Sequence, residues 1–533
     1  MIAGLEDKQA HMPEVKVDVS TLLECSHFFS RSVATRLVSR EKELYERTLK
    51  RAMSRNDAQP LQFAQGLIRT NLVMSCFVDA AGLLLTYPLT WSFWSDIMHT
   101  LRIPYMASLL AGASVSQGHI YSTRFNGTTW DDKNWRITTN LLDQGHYQSR
   151  MSLANGYLGI NVAAAGPFFE ADTPVDGDNI NGWPLFDRRQ TFATIAGFWD
   201  EQPTTNGTNF EWLNQYGGES VISGVPHWSG LHVKIGDEVL DASVPQDQIS
   251  GFSSTLDIRA GTMQWSYTWS PSAGPAVDVE YEMFVHKLYV NQAAVQLKLT
   301  ASQNVNATVI DLLNGDCALR TDFVDKSFEP VMPLIWSAVR PVGISNVTAY
   351  IYSALVGDDS CGNSSRTQIT DDSVLGANSS SIAQGIDVSL QAGKTSVITK
   401  YVGGASTDAF EDPQSTALNA SWSAAQQGYV ELLSSHIAEW ASIMTPDSVD
   451  SYRFPNGSLP DDLNIRELQI TAVTNPFHLL KETVGTNAIV AAGNNSKLDV
   501  NSIAVGGLGS DSYGGMIFWY VGLYPRCQSR EYH

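Results

Sequence analysis

The sequence predicts a mainly β protein with α: a large antiparallel β-sandwich that leads into helices. Two observations predict it. From about Gly145 to Val402, large apolar residues fall at every second position in successive short runs, with turn-rich stretches between them. After about Trp422 the spacing changes to three and four, the period of a helix.

The strand runs are explicit. In Met263-Gln-Trp-Ser-Tyr-Thr-Trp269 every second residue is large and apolar. Val277, Val279, Tyr281, Met283 and Val285 repeat the pattern with Asp278, Glu280 and Glu282 between them, and Val295, Leu297 and Leu299 follow. Ser270-Pro-Ser-Ala-Gly-Pro275 separates two of these runs with turn residues. Alternation of this kind describes antiparallel sheets with one wet face. Two such sheets facing each other account for a β domain of this size.

The helical stretch carries Trp422, Ala425, Tyr429, Leu432, Leu433, Ile437, Trp440 and Ile443 on one stripe, which predicts a single helix of about 25 residues ended by Pro446. A second helix opens after Asp461-Asp462, where acidic residues suit the positive end of the helix dipole. It runs through Ile465, Leu468 and Ala472 towards Pro476, which should end it. The Gly507-Leu-Gly509 run that follows lacks the third glycine of a dinucleotide loop.

Charge divides the chain. The net charge is −21 over 533 residues, yet residues 1–97 hold 11 basic and 11 acidic groups, so the whole imbalance lies in the rest. A body this acidic is not a partner for nucleic acid or an anionic membrane. Nine Asn-x-Ser/Thr sequons follow the same division: Asn126, Asn206, Asn306, Asn346, Asn363, Asn378, Asn419, Asn456 and Asn494, with none before residue 117. Just upstream, Met98-His-Thr-Leu-Arg102 is followed by an apolar run to Ala113, with Ala111-Gly-Ala113 as a small-x-small cleavage site. That is the three-part pattern of a signal peptide. Read so, residues 1–97 are an extension upstream of the true start at Met98; the competing reading is an apolar core helix. Leu72 to Trp94 is interrupted by Asp79 and Pro88, and no membrane span is expected.

Of five cysteines, Cys317 and Cys361 are the pair inside the acidic body. A disulfide and two buried thiols both fit them. No CxxC, HExxH or His-x-His pattern occurs, so neither a metal site nor a cofactor is expected.

Several longer segments resemble the fungal acid trehalases of glycoside hydrolase family 65. They are Thr129-Trp-Asp-Asp132, Leu142-Asp-Gln-Gly-His-Tyr-Gln148, Ala154-Asn-Gly-Tyr-Leu-Gly159 and Asp172-Thr-Pro-Val-Asp-Gly177. Further along come Asn181-Gly-Trp-Pro-Leu-Phe186, Gln215-Tyr-Gly-Gly-Glu-Ser220, His436-Ile-Ala-Glu-Trp440 and Gly506-Gly-Leu-Gly-Ser-Asp-Ser-Tyr513. The resemblance implies a sandwich over 129–405, a linker helix over 415–445 and the start of an (α/α)6-barrel over 460–519. It further implies inverting hydrolysis of α,α-trehalose or a related glucoside, in a secreted, cell-wall, periplasmic or vacuolar protein. Residues 520–533 depart from the family pattern, and the family's catalytic acid and base fall beyond that point. The chain as written is therefore expected to be truncated and inactive, with no catalytic residue assigned.

Trp519 is the one substrate contact the resemblance carries over. Asp172, Asp176 and Asp178 near Trp183 have the makings of a sugar site, but Asp-Gly and Pro-Val-Asp-Gly are first of all turn chemistry. His146 and His227, each beside an aromatic residue, read as packed rather than catalytic, and Asp187-Arg188-Arg189 reads as a surface ion pair. The alternative to an enzyme is a non-catalytic carbohydrate-binding or structural sandwich.

Overall fold

The computed structural model describes residues 120–145, 150–171, 190–201, 222–361, 366–493 and 496–498. The upstream extension, the signal-like segment, the Gly507–Gly509 run and the 520–533 tail lie outside the described residues. So do Cys25, Cys76 and Cys527.

The strands open with β1 (Ile120–Ser122), β2 (Thr128–Asp131) and β3 (Arg136–Thr139), then β4 (Met151–Ala154), β5 (Leu158–Val162) and β6 (Ala193–Ile195). Next come β7 (Leu231–Ile235), β8 (Glu238–Leu240), β9 (Ile249–Asp257) and β10 (Thr262–Trp269). The long central strands are β11 (Val277–Val285), β12 (Gln292–Ala301) and β13 (Val305–Leu313). They are followed by β14 (Thr321–Glu329), β15 (Leu334–Pro341), β16 (Ala349–Gly357) and β17 (Thr367–Ile369). The last are β18 (Ile382–Leu390) and β19 (Thr395–Ser406).

These strands form an 11-stranded sheet in the order β1-β2-β3-β9-β10-β11-β12-β19-β16-β15-β14 and a 5-stranded sheet in the order β17-β18-β13-β7-β8. A 3-stranded sheet, β4-β5-β6, sits beside them. The predicted alternation holds: in β10, Met263, Trp265, Tyr267 and Trp269 are buried, and in β11 Val277, Val279, Tyr281 and Met283 are buried. Both rows belong to one continuous core with Val233, Val309, Ile386 and Val388 of the smaller sheet. The Tyr281 hydroxyl crosses the layer to donate to the carbonyl of Leu231 at 2.8 Å. Each fully buried Val, Leu or Phe side chain of this kind contributes about 1.5–3 kcal/mol.

One charge pair stands inside that core. Lys400 Nζ lies 2.6 Å from Asp311 Oδ1, with neither side chain exposed. Lys400 also donates to the carbonyls of Gly230 and Leu312, while Asp311 Oδ2 accepts from Ser353 Oγ and Gln384 Nε2. Burial pulls the Lys400 ammonium pKa down, and Asp311 pulls it back up. The pair therefore satisfies nearly all its hydrogen bonds across the two sheets.

A short helix, α1 (Asp372–Leu375), covers Ile310, Leu312 and Ala383 on the outer face of the smaller sheet. The predicted single helix after Trp422 is in fact two, α2 (Pro413–Gln427) and α3 (Tyr429–Ile443). Gly428 separates them at φ 84°, a left-handed geometry that favours glycine. Both helices still face the large sheet, with Ala424, Tyr429 and Leu432 over Phe284, Ala294 and Tyr401. The next helix, α4 (Leu463–Lys481), starts as predicted, with the Asp462 carboxylate accepting from the N–H groups of Asn464 and Ile465. It does not stop at Pro476. Val473 and Phe477, on either side of the proline, are fully buried, and Phe477 packs 4.9 Å from the Trp440 ring, so packing holds the turn that proline weakens. A last helix is α5 (Thr486–Ala492). No helix of the described residues is long and apolar enough to cross a membrane.

Candidate functional site at the sandwich–helix seam

Two of the segments singled out in the sequence, Ala154–Gly159 and His436–Trp440, meet at one place, the seam where α3 and α4 dock on the sandwich. The Asn155-Gly156 turn between β4 and β5 is its centre. Asn155 Nδ2 donates to the carbonyls of His286 and Val290, both at 2.9 Å, and its Oδ1 accepts from the N–H groups of Tyr157 and Leu158. Gly156 has φ 92°, and a Cβ there would collide with the backbone of Thr483 and Val484, just past the end of α4. The turn can meet the helix end only because it is glycine. Tyr157 is locked against Ser406, accepting from its N–H at 2.9 Å, and burial pushes its phenol well above the ordinary value.

Two histidines close the seam from the other side. His286 Nδ1 accepts from the N–H groups of Leu288 and Tyr289, so the proton sits on Nε2, which faces the Leu432 carbonyl at 3.1 Å and Ser435 Oγ at 3.0 Å. His436 Nδ1 accepts from Lys287 N–H at 3.0 Å, and its Nε2 faces the Gly261 carbonyl at 3.1 Å. The rings meet edge to face at 5.5 Å, and the His436 ring stacks on Phe284 at 4.7 Å. Burial lowers the pKa of His286 to about 2 and of His436 to about 3. Both rings are neutral and fixed in one tautomer.

Lysines bind the end of α4. Lys287 Nζ donates to the carbonyls of Leu480 (2.6 Å) and Thr483 (2.7 Å), where the negative end of the helix dipole favours a cation. Lys481 Nζ donates to Ser152 Oγ at 2.5 Å. Trp440, last of the His436–Trp440 segment, packs over Gly261 and Phe477 with the Lys287 ammonium 5.2 Å from its ring. Glu439 accepts from Asn487 Nδ2 of α5. Further along, Asp132 takes the Trp130 indole N–H and a two-point clamp from Arg453 at 2.8 Å each, tying the segment before α4 to β2.

This arrangement positions the helices on the sandwich. Trp519, Asp172, Asp176, Asp178, Trp183, His146 and the Asp187–Arg189 run lie outside the described residues, as do Asn206, Asn363 and Asn494. His227 is a packed core residue, its Nε2 3.0 Å from the Asn161 carbonyl and its pKa lowered by burial to about 3. Asn126, Asn306, Asn346, Asn419 and Asn456 are exposed; Asn378 is half-buried, its Oδ1 accepting from Ser380 N–H and Oγ. The disulfide reading of Cys317 and Cys361 is corrected: both are buried thiols. Cys317 Sγ accepts from Ala193 N–H and points to the Thr191 carbonyl, whereas Cys361 bridges to Val388 of β18. They serve different neighbours.

The model of the glycosyl hydrolase family 65 N-terminal domain matches residues 137–443. The chain is 53% identical over 402 residues to an acid trehalase of Emericella nidulans, covering 75% of this chain and 38% of that protein. It is 52% identical over 402 residues to a cell wall acid trehalase of Arthroderma benhamiae, with the same two shares. With a cell wall acid trehalase of Candida albicans it shares 29% over 409 residues, 73% of this chain and 34% of that protein. The chain thus spans little more than a third of the length of the curated relatives it matches.

Proposed function

The chain belongs to glycosyl hydrolase family 65, and on that premise we propose that it serves the hydrolysis of α,α-trehalose to two glucose molecules in a secreted or cell-wall protein. The observation that carries this is the identity of 53% over 402 residues to an acid trehalase. The cell-wall and periplasmic names of other relatives, and the sequons from Asn126 onward, support an exported glycoprotein. In this reading, 129–405 is the sandwich, 415–445 the linker, and 460–519 the opening of the barrel, with Trp519 a substrate contact. The seam has the task of seating the first barrel helices on the sandwich. Cleavage with inversion needs one carboxylic acid to protonate the leaving oxygen and a carboxylate to activate water on the opposite face, the two about 6.5–9.5 Å apart.

The test is to purify the native protein that carries this sequence, supply α,α-trehalose, and follow the anomers by NMR as glucose appears. Inversion at one of the two linked carbons releases one β- and one α-glucose per bond cleaved. Absence of glucose, or release of the α anomer alone, would overturn the proposal.

A further inference from the structure

The outer face of the large sheet is divided along its strands. Positions 278, 280, 282 and 284 of β11 share that face. Phe284 is buried under α2 and α3, and Asp278, Glu280 and Glu282 lie beyond them. Beyond the helices a depression of about 320 Å³ opens over β9, β10, β11 and β12, within the size range of sites that hold small ligands. Its polar lining is a grid of two rows across four strands.

The row nearer the helices is Thr255, Gln264, Glu282 and Gln296, each directly opposite the next. It is held rigid. Gln264 Nε2 donates to Glu282 Oε1 at 2.7 Å, and the Tyr429 hydroxyl of α3 donates to Glu282 Oε2 at 2.9 Å. Thr255 Oγ1 pairs with Thr138 Oγ1 at 2.9 Å. The side-chain carbonyls of Gln264 and Gln296 stay available as acceptors.

The outer row is Ser253, Ser266, Glu280 and Lys298, again in register. It is open. Among the described residues neither Ser253 nor Ser266 makes a side-chain hydrogen bond. Lys298 and Glu280 stand 3.8 Å apart, both largely exposed. Trp265 and Tyr281, each about 1% exposed, close the floor from beneath, so neither aromatic ring is offered.

The lining therefore combines hydroxyls, amide carbonyls, two carboxylates and one ammonium at strand spacings of roughly 4.8 Å. The carboxylates repel anions, and with both aromatic rings buried little is offered to a large hydrophobic ligand. A ligand that offers hydroxyl groups as both donor and acceptor, at short repeat and without charge, satisfies the grid. We propose that this depression binds a neutral oligosaccharide strand lying across β9–β12. Trehalose cleavage does not depend on it.

The test is calorimetric titration of the full chain with three neutral hexasaccharides, of β-1,3-glucose, β-1,4-glucose and α-1,6-mannose, with hexagalacturonate as the anionic control. At least one neutral hexasaccharide should saturate, and the anionic one should bind at least tenfold more weakly. Ser266→Trp, which fills the depression, should abolish binding. The double variant Gln264→Ala/Gln296→Ala should weaken it about tenfold at an unchanged melting temperature. This second variant decides the matter if Ser266→Trp fails to fold. The proposal is overturned if no neutral hexasaccharide binds, if the anionic one binds as well, or if the folded variants bind within twofold of the parent.

Discussion

The Lys400–Asp311 pair inside the sandwich and the Lys287, His286 and His436 cluster at the seam both bury charged or titratable groups, and they satisfy them by different means. Inside the sandwich Lys400 meets a carboxylate besides two carbonyls, and Asp311 meets two further side chains. At the seam Lys287, His286 and His436 meet backbone atoms: carbonyls at the end of α4, the Leu432 and Gly261 carbonyls, and N–H groups of 287–289. A side-chain pair needs both partners to be the right residue. A side chain held by backbone needs only the right geometry, so it depends on turns such as Asn155-Gly156 arriving in place. The Lys400–Asp311 pair is secured by composition, and the Lys287, His286 and His436 contacts by shape.

Four experiments break or sharpen that contrast. Lys400→Met strands the Asp311 charge and should cost about 3–5 kcal/mol in urea unfolding, while adding Asp311→Leu should recover most of the loss. A single-variant loss under about 1 kcal/mol would mean that the pair is not a fastener. At the seam the signature is pH. The folded pKa of His436 is about 3, below its ordinary 6.5, so only the unfolded chain gains this proton between those values. The stabilisation is complete above the unfolded pKa and drains away as pH falls towards 3. His436→Gln should remove roughly 1 kcal/mol per pH unit from the acid loss of stability between about pH 6 and about pH 4; an unchanged slope would contradict the assignment.

Gly156→Ala drives a methyl into the Thr483–Val484 backbone and should cost about 1–3 kcal/mol. Cleavage by protease between 445 and 462 should quicken while the sandwich fragment survives; equal loss in both regions would show that they are not separate. The smallest effect, about 1 kcal/mol, is expected for Asp132→Asn, which weakens the Arg453 clamp at a partly exposed site. It should register as faster amide exchange in the segment before α4, with no change in β10–β12.

The same contrast explains what could be read beforehand. The alternation in β10–β12 was legible because each strand buries one face against a second sheet, and period two records that directly. The break at Gly428 was not, because Ala425, Tyr429 and Leu432 continue one stripe across it; both helices lie on the same sheet and share one periodicity. Pro476 misled because its neighbours Val473 and Phe477 are anchored by tertiary packing that local propensity does not see. Cys317 and Cys361 were close in sequence count but answer to β6 and β18, respectively. At the seam, Asn155, Gly156 and His436 stood in noticed segments, yet their roles were hidden because their partners are backbone atoms of distant residues. His286 and Lys287 carried no sequence signal at all. The polar grid was half visible, as Glu280 and Glu282 on the wet face of β11, but its depth depends on four strands in register.

β19 pairs over nine residues with β12 on one side and over nine with β16 on the other. During synthesis everything from β1 to β18 emerges before it, and until then the strands of the large sheet can pair only as two half-sheets, each with an open edge. Such edges invite pairing with other chains. β19 is thus a keystone: it arrives last, joins the halves, and carries Lys400 to Asp311 in the same movement. Substitutions in Thr395–Ser406 should accordingly lower the yield of soluble protein from the cell before they lower the melting temperature of what is recovered.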